Sequence, residues 1–97
     1  MSYDTEELVH ELHRQRTKAG LSQRALADRT GLTQGHISQV EAGRLEPGMS
    51  SFLRIARALD LEVVLVPKKF LPAVEGIVRR TSEDRLSPEE GKAALHE

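Results

Sequence analysis

The chain has 97 residues, contains no cysteine and carries a formal net charge of -1 at pH 7. This length allows one domain with a modest core, and the absence of cysteine excludes disulfides and most zinc sites. The longest apolar run, residues 63–66, is far too short to cross a bilayer, and the acidic start lacks the apolar core of a signal peptide. We therefore expect a cytoplasmic protein that does not act at a membrane.

Positive charge is concentrated in one stretch of the chain. Residues 14–44 contain six basic and two acidic residues, a net charge of +4, whereas the remainder has eight basic and 13 acidic residues, a net charge of -5. This asymmetry favours an anionic partner for residues 14–44, although a solvated surface can also produce it.

A first helix is predicted for residues 5–19. Asp4 and Glu7 resemble a capping box, and early acids are favourable at the positive end of a helix. Gly20 is typical of the residue that follows a helix. The expected buried face of this helix consists of Leu8, Val9, Leu12 and Ala19.

Two short helices joined by a tight turn are predicted next. Ser22 caps the first of them, residues 23–29, and Gly31 permits the left-handed turn that ends it. Thr33 caps the second, which runs to residue 41. Helix, tight turn and a second helix of about two turns form the helix-turn-helix unit. An ordinary helical bundle with a short helix pair is the alternative.

The second of these helices has a narrow apolar stripe, Ile37 and Val40, which are three residues apart. Its other faces carry Gln34, Gly35, Ser38 and Gln39. A helix of this design buries one side and offers an uncharged, hydrogen-bonding side to a partner. That side suits the edges of nucleic acid bases.

A fourth helix is predicted for residues 49–59, after a turn-rich loop at residues 44–48. Its apolar positions recur at i, i+3, i+4 and i+7, and they are Phe52, Ile55, Ala56 and Leu59. This helix is expected to close the core over the first three.

The apolar period changes from helical to two after the fourth helix, which predicts a strand ended by Pro67. Its residues are Leu61, Glu62, Val63, Val64, Leu65 and Val66. The chain has no second strand-like run, and a lone strand leaves its N–H and C=O groups unpaired. We therefore expect it to pair antiparallel with its copy in a homodimer. An internal packing strand or a fifth helix at this place is the alternative.

The tail, residues 68–97, is expected to be partly helical or flexible. After Pro72 the apolar residues have helical spacing, but Gly76 weakens the segment. Residues 79–87 are polar and are predicted to be mobile, and Ser87 with Pro88 is typical of a second helix start. The tail either orders on a partner or remains a plain extension.

From about Leu8 to Leu61 the sequence resembles the Xre family of phage-type repressors. The matching positions are Gln23, Ala27, Gly31, Ile37, Ser38, Glu41, Gly43, Ile55, Ala56 and Leu59. The resemblance implies a mainly α fold: a four-helix phage-repressor-like helix-turn-helix domain, which together with the dimerising β-strand spans residues 1–67. A four-helix domain followed by such a strand resembles the Hip-type antitoxins, which are DNA-binding partners of a kinase-like toxin.

The resemblance also implies which side chains contact DNA. Gln34 and Gln39 are the first candidates for base contacts, because a glutamine amide pairs bidentately with adenine. Gly35 departs from the family pattern, since it has no side chain to read a base but lets the backbone approach closely. Ser38 contacts a base or a phosphate. The candidates for phosphate contacts are Gln23, Thr33 and Arg44. Arg24 is either a further phosphate contact or a solvated surface charge, and His36 is either a phosphate neighbour or a surface residue.

An ion pair between Arg16 and Glu41 is predicted. Glu41 ends the third helix, where an anion opposes the helix dipole, and it lies beside the buried face. It therefore needs a cationic partner. In the family, an arginine late in the first helix fills that role, and Arg16 occupies the corresponding position.

The dimer predicts a palindromic operator, and the resemblance implies a repressor, the antitoxin of a Hip-type pair, that represses its own operon. The alternatives are a stand-alone Xre regulator, the antitoxin of an unrelated toxin, and an interaction module that has lost DNA binding. An enzyme is not expected, because the chain lacks cysteine, clustered carboxylates and a Gly-rich phosphate loop. His10 and His13 are half of a metal site by spacing, but without further ligands nearby we expect neither a metal nor a cofactor.

Overall fold

A computed structural model of the protein describes residues 4–83. In this part of the chain the helices are α1 (Thr5–Lys18), α2 (Gln23–Thr30), α3 (Gln34–Glu41), α4 (Met49–Ala58) and α5 (Leu71–Glu83), with a 3-10 turn at Lys68–Phe70. The chain divides into two compact units, residues 1–64 and residues 65–97. The division lies three residues before the expected boundary at residue 67.

The first three helices begin where the predicted caps lie. Asp4 Oδ1 accepts a hydrogen bond from the Glu7 N–H at 2.9 Å, and Ser22 Oγ accepts one from the Ala25 N–H at 3.0 Å. Thr33 caps α3 in the same way. Each cap satisfies an N–H group that has no partner inside its helix. Local side-chain chemistry therefore sets the starts of α1, α2 and α3.

The core of the first unit lies between α1, α2, α3 and α4. Its buried apolar side chains are Val9, Leu12, Leu26, Ala27, Ile37, Val40, Ile55, Ala56 and Leu59. The stripes predicted for α3 and α4 are among them, although Phe52 is only partly buried and packs against the cluster. Leu26, Ile37 and Val40 are the largest of the fully buried side chains.

The predicted buried face of α1 was wrong at both ends. Leu8 is 43% exposed, and Ala19 is exposed because α1 ends at Lys18. Val9, Leu12 and Arg16 lie on one side of α1, at i, i+3 and i+7, and the Arg16 side chain is only 13% exposed. These three residues define the buried side of α1, and Leu8 lies to one side of it. The apolar residues alone did not indicate this side, because Arg16 is charged.

Residues 61–67 follow α4 and form neither helix nor strand in the described single chain. Asp60 has a φ of 62°, and the Leu61 N–H donates to the Ala56 carbonyl at 2.9 Å, which ends the helix. Leu61 packs against the core, whereas Val64 and Leu65 are 70% and 98% exposed. Pairing of this segment with a second copy remains a prediction.

The described part of the second unit consists of the 3-10 turn and α5. The helical spacing predicted after Pro72 is confirmed, with a start one residue earlier. The mobile stretch predicted from residue 79 was wrong for residues 79–83, because α5 continues to Glu83. These residues include no glycine or proline that would end a helix. The second helix start predicted at Ser87 lies outside the described residues.

Candidate nucleic-acid interface

The turn between α2 and α3 is held by side chains as well as by backbone. Gly31 has a φ of 76°, and its N–H donates to the Ala27 carbonyl at 2.9 Å. Thr30 is buried, and its hydroxyl donates to the Leu26 carbonyl at 2.9 Å and accepts from the Leu32 N–H at 3.2 Å. Thr30 was not among the residues predicted from the sequence, although a threonine just before a glycine at a helix end is a usable signal for such a turn. The result is a fixed angle between α2 and α3.

Helix α3 buries one side and exposes the other. Ile37 and Val40 are 1% and 2% exposed, and they anchor the helix in the core. Four of the predicted contact residues lie on the opposite side, within an arc of about 140° at about 100° per residue. They are Gln34, Gly35 and Gln39, which are exposed, and Ser38, which is half-buried. This uncharged polar arc can exchange hydrogen bonds with a partner.

His36 lies outside this arc. Its backbone N–H donates to Thr33 Oγ1 at 3.0 Å, and the residue as a whole is half-buried. Its Nε2 atom is buried and has no hydrogen-bond partner among the described residues. Because Nε2 is buried, it is not available to an external group.

Arg16 and Glu41, the two side chains predicted to pair, are in contact. Arg16 Nε donates to Glu41 Oε2 at 2.6 Å, and Arg16 Nη2 donates to Glu41 Oε1 at 2.9 Å. The third guanidinium nitrogen, Nη1, donates to the Leu21 carbonyl at 2.6 Å. The Glu41 side chain is only 8% exposed. The bidentate geometry thus joins α1, the loop after it and the end of α3.

Gln23 completes this network. Its Nε2 donates to Glu41 Oε1 at 3.0 Å, so the first residue of α2 is tied to the last residue of α3. Gln23 was predicted only as a phosphate contact, and the structure adds this internal contact. One amide N–H and the amide oxygen of Gln23 are left for other partners.

The Glu41 carboxyl is held in its charged form. Burial alone would raise its pKa, but the hydrogen bonds from Arg16 and Gln23, together with the Arg16 charge, outweigh burial. The pKa of Glu41 is therefore lowered from its ordinary value. Because Arg16 neutralises it, Glu41 does not leave a bare negative charge at the end of α3.

The chain turns sharply after α3 and presents Arg44. Gly43 has a φ of 76°, and the N–H groups of Arg44 and Leu45 both donate to the Gln39 carbonyl, at 3.0 and 3.2 Å. The Arg44 side chain is exposed, as are Arg24 and Thr33. Cationic and hydroxyl groups are therefore accessible at the start of α2 and at both ends of α3.

Within residues 4–83 no group of three or more His, Cys, Asp or Glu side chains could hold a metal ion. The His10 and His13 rings meet edge to face with centroids 6.3 Å apart. No helix among these residues is both long and apolar enough to span a membrane.

A family model described as helix-turn-helix matches residues 12–66, more than half of the chain. The chain belongs to this helix-turn-helix family. In the helix-turn-helix unit, the second helix enters the major groove of DNA and the first crosses the backbone. Helices α2 and α3 are these two helices here.

A curated relative shares the helix-turn-helix assignment. It is the uncharacterized HTH-type transcriptional regulator y4dL of Sinorhizobium fredii (strain NBRC 101917 / NGR234), which is 47% identical over 94 residues. The match covers 95% of this chain and 48% of the relative, so the chain spans about half the length of that protein.

A solved structure has a similar fold. It is a SinR protein/SinI protein complex, in which the matching chain is 21% identical to this one with a TM-score of 0.53. The alignment covers 92% of this helix-turn-helix chain and 91% of the other. At this level of identity the comparison establishes a shared fold.

Proposed function

We propose that the chain is a sequence-specific DNA-binding transcriptional regulator that acts in the cytoplasm, at the nucleoid. The observation that carries this proposal is the polar arc of α3, which faces away from the buried Ile37 and Val40. The major groove is wide enough for a helix and distinguishes all four base pairs. An uncharged arc on the second helix of a helix-turn-helix is the surface that such readout requires.

Base contacts are assigned to Gln34 and Gln39, which are exposed. Each amide carries a donor and an acceptor in one plane, which matches the N6 and N7 edge of adenine. Ser38 is a further donor and acceptor on the same arc. Because Gly35 has no side chain, its backbone can lie close to the wall of the major groove.

Phosphate contacts are assigned to the groups around the arc. The N–H groups of Gln34 and Gly35 precede the first intrahelical donor of α3, the Ile37 N–H, which reaches the Thr33 carbonyl at 3.1 Å. Such N–H groups at a helix start attract phosphate. The side chains assigned to phosphate contacts are Gln23, Arg24, Thr33 and Arg44, with His36 as a neighbour.

We further propose that the regulator is a homodimer and a repressor. The apolar segment 61–66 leaves Val64 and Leu65 exposed, and pairing with a second copy would cover them. A two-fold dimer places two α3 helices on half-sites about 34 to 36 Å apart, which requires a palindromic operator. A dimer that covers a promoter blocks polymerase, and autorepression follows where the operator lies upstream of its own gene.

The antitoxin role is proposed on the resemblance to Hip-type antitoxins and on the apolar segment that follows α4. A kinase-like toxin would then be a protein partner, and the similar fold in the SinR protein/SinI protein complex shows that this architecture occurs in a protein complex. Purification of the tagged chain from native extract tests the proposal. Recovery of a kinase-like protein supports the antitoxin role. Recovery of no such partner favours a stand-alone regulator, and recovery of a different toxin favours an unrelated toxin-antitoxin pair.

A gel shift on the DNA upstream of the chain's own gene tests the regulator. We expect a complex that unlabelled operator competes away and that an equal mass of random-sequence DNA does not. The double variant Gln34→Ala, Gln39→Ala should lose this preference, while Glu46→Ala, in the loop after α3, should keep it. If the unaltered chain binds neither operator nor random DNA at low salt, the chain is an interaction module and the proposal is wrong.

A further inference from the structure

A cavity lies between the first half of α1 and the end of α3, within the first unit. Its volume is about 220 Å³, and it is lined by four residues of α1 and by six of residues 40–46. None of the lining residues belongs to the polar arc of α3. Because pockets for drug-sized ligands usually have about 300 to 1,000 Å³, this cavity fits a smaller molecule.

One part of the lining is apolar. Val9 and Val40 are 8% and 2% exposed, whereas Leu45 is 42% exposed. A hydrocarbon group in the cavity would contact the two valines and cover Leu45, which removes apolar surface from water. The apolar part of the lining therefore favours a ligand with a short hydrocarbon stem.

The polar part of the lining favours positive charge. Glu6 and Glu46 are exposed, and neither carboxylate has a hydrogen-bond or ion-pair partner among residues 4–83. Glu41 also lines the cavity but is already paired with Arg16. In the described chain, none of the residues that line the cavity is lysine or arginine. Helix α3 also ends there, and the last carbonyl groups of a helix attract cations.

We propose that this cavity binds a small organic cation, an ammonium or guanidinium group on a hydrocarbon stem of about four carbons, as in basic side chains. The stem lies against Val9, Val40 and Leu45, and the cationic group lies beside Glu6 and Glu46. This site lies off the polar arc of α3, so it does not depend on the proposed function.

The ligand is a free molecule and not the side chain of a protein partner. A stable protein interface buries about 800 Å² on each partner and has an apolar centre. The lining that the structure describes offers a single exposed large apolar side chain, Leu45. That area is enough for a small amine and is too little for a protein.

Titration of the ¹⁵N-labelled full chain with n-butylammonium chloride, at constant ionic strength, tests the proposal. We expect the backbone amide signals of Val9, Val40 and Leu45 to shift, with a Kd on the order of millimolar. Ammonium chloride lacks the stem, and 1-butanol lacks the charge. Each should bind at least about tenfold more weakly than n-butylammonium.

A double substitution tests the acidic part of the lining. Glu6→Gln with Glu46→Gln should raise the Kd for n-butylammonium at least about fivefold. The control, Glu7→Gln with Asp28→Asn, removes the same charge at two exposed positions outside the cavity and should leave the Kd unchanged. Circular dichroism at 222 nm verifies that the variants are folded.

A single substitution tests the apolar part. Leu45→Ala should raise the Kd for n-butylammonium and reduce its advantage over ammonium. Leu8→Ala is the matched control, because Leu8 is 43% exposed and does not line the cavity. It should change neither value.

Three outcomes would overturn the proposal. Equal affinities for n-butylammonium and ammonium would mean that the ligand is held by surface charge alone. Equal affinities of the unaltered chain and the Glu6→Gln, Glu46→Gln variant would mean that these carboxylates do not hold the cation. Shifts of the cavity amides that follow protein concentration, without added amine, would mean that a second copy occupies the cavity.

Discussion

The Arg16 guanidinium makes three hydrogen bonds, two to Glu41 and one to the Leu21 carbonyl. Both charged side chains are largely removed from solvent, at 13% and 8% exposure. Removing one member of such a pair leaves the other charge buried without compensation, which costs about 3 to 5 kcal/mol. Breaking this pair should therefore lower the free energy of unfolding more than breaking an exposed ion pair such as Arg14 with Glu11.

We predict that Glu41→Ala lowers the free energy of unfolding by about 3 kcal/mol. Glu46→Ala, at an exposed loop position, should change it by less than about 0.5 kcal/mol. Urea unfolding followed by circular dichroism measures both. Equal small effects of the two substitutions would show that the Arg16–Glu41 pair does not lock α1 to α3.

The same carboxyl makes stability depend on pH. Because the pKa of Glu41 is lowered in the folded state, the unfolded chain binds more protons at this site as pH falls below its ordinary value of 4.5. The stabilisation is therefore present above pH 4.5 and is lost as pH falls through the lowered pKa. We predict that Glu41→Gln, although less stable at pH 7, loses less free energy of unfolding than the unaltered chain between pH 5 and pH 2.5. Parallel loss in both proteins, measured by urea titration at each pH, would contradict this assignment.

Two single substitutions distinguish base contacts from phosphate contacts. Gln39→Ala should cost about 1 to 3 kcal/mol of binding to the preferred operator and should relax sequence preference. Arg44→Ala should weaken binding to all DNA alike and reduce the salt dependence of affinity by about one unit of slope. Fluorescence anisotropy on operator and random duplexes, over a range of salt concentrations, measures both. Unchanged operator binding by Gln39→Ala would place the reading surface elsewhere.

At the scale of the element, two glycines in the helix-turn-helix have opposite conformational roles. Gly31 has a φ of 76°, and a Cβ built there meets no atom within 4 Å, so the backbone conformation alone requires glycine. Gly35 lies inside α3, where the nearest atom to a Cβ is Thr33 Oγ1 at 4.0 Å. Glycine inside a helix costs about 1 kcal/mol relative to alanine.

Alanine should therefore have opposite effects on stability at these two positions. We predict that Gly31→Ala lowers the free energy of unfolding by about 1 to 2 kcal/mol, and that Gly35→Ala raises it by up to about 1 kcal/mol. Gly35→Ala should also weaken operator binding, because its methyl group keeps the α3 backbone away from the groove. Thermal unfolding and anisotropy measure the two effects. Tighter operator binding by Gly35→Ala would refute the close backbone approach.

Most of the first unit could be predicted because its signals are local. Asp4, Ser22 and Thr33 cap the next few N–H groups in their own helices, so the helix starts follow from a few residues at a time. The third N–H donor to Glu41, from Gln23, and the contact of Arg16 with the Leu21 carbonyl could not be predicted in this way. They depend on how separate segments meet in space, and a glutamine after a helix cap has many possible partners.

Two further features illustrate where periodicity is insufficient. The polar residues 79–83 carry no apolar pattern, yet they continue α5, because nothing in them ends a helix that has already formed. The alternation in residues 61–66 indicates a strand, but a strand forms only with a neighbouring strand. The alternating pattern is a local property, whereas pairing depends on a partner segment, and residues 4–83 contain no strand for it to pair with.

At the scale of the whole molecule, the helix-turn-helix match ends at residue 66, where the exposed apolar segment also ends. The segment follows directly from α4, whose end is fixed by the left-handed Asp60 and by the hydrogen bond from Leu61 to Ala56. Any pairing through this segment would therefore begin within a few residues of the first unit. Two copies of α3 could then be held at a fixed separation, as a palindrome requires.

We predict that Val64→Asp converts the proposed dimer into a monomer. Val64 is 70% exposed in the single chain, so the substitution does not disturb the core, but in an antiparallel pair across a two-fold axis it would bring two carboxylates together. Thr5→Asp adds the same charge at an exposed site on α1 and should remain dimeric.

Sedimentation velocity measures the oligomeric state, and anisotropy on full and half operators measures binding. Loss of the dimer should weaken binding to the full palindrome by about 100-fold, through lost avidity, and leave binding to a half-site unchanged. An unaltered chain that sediments as a monomer, or a Val64→Asp variant that remains a dimer, would exclude this segment as the dimer contact.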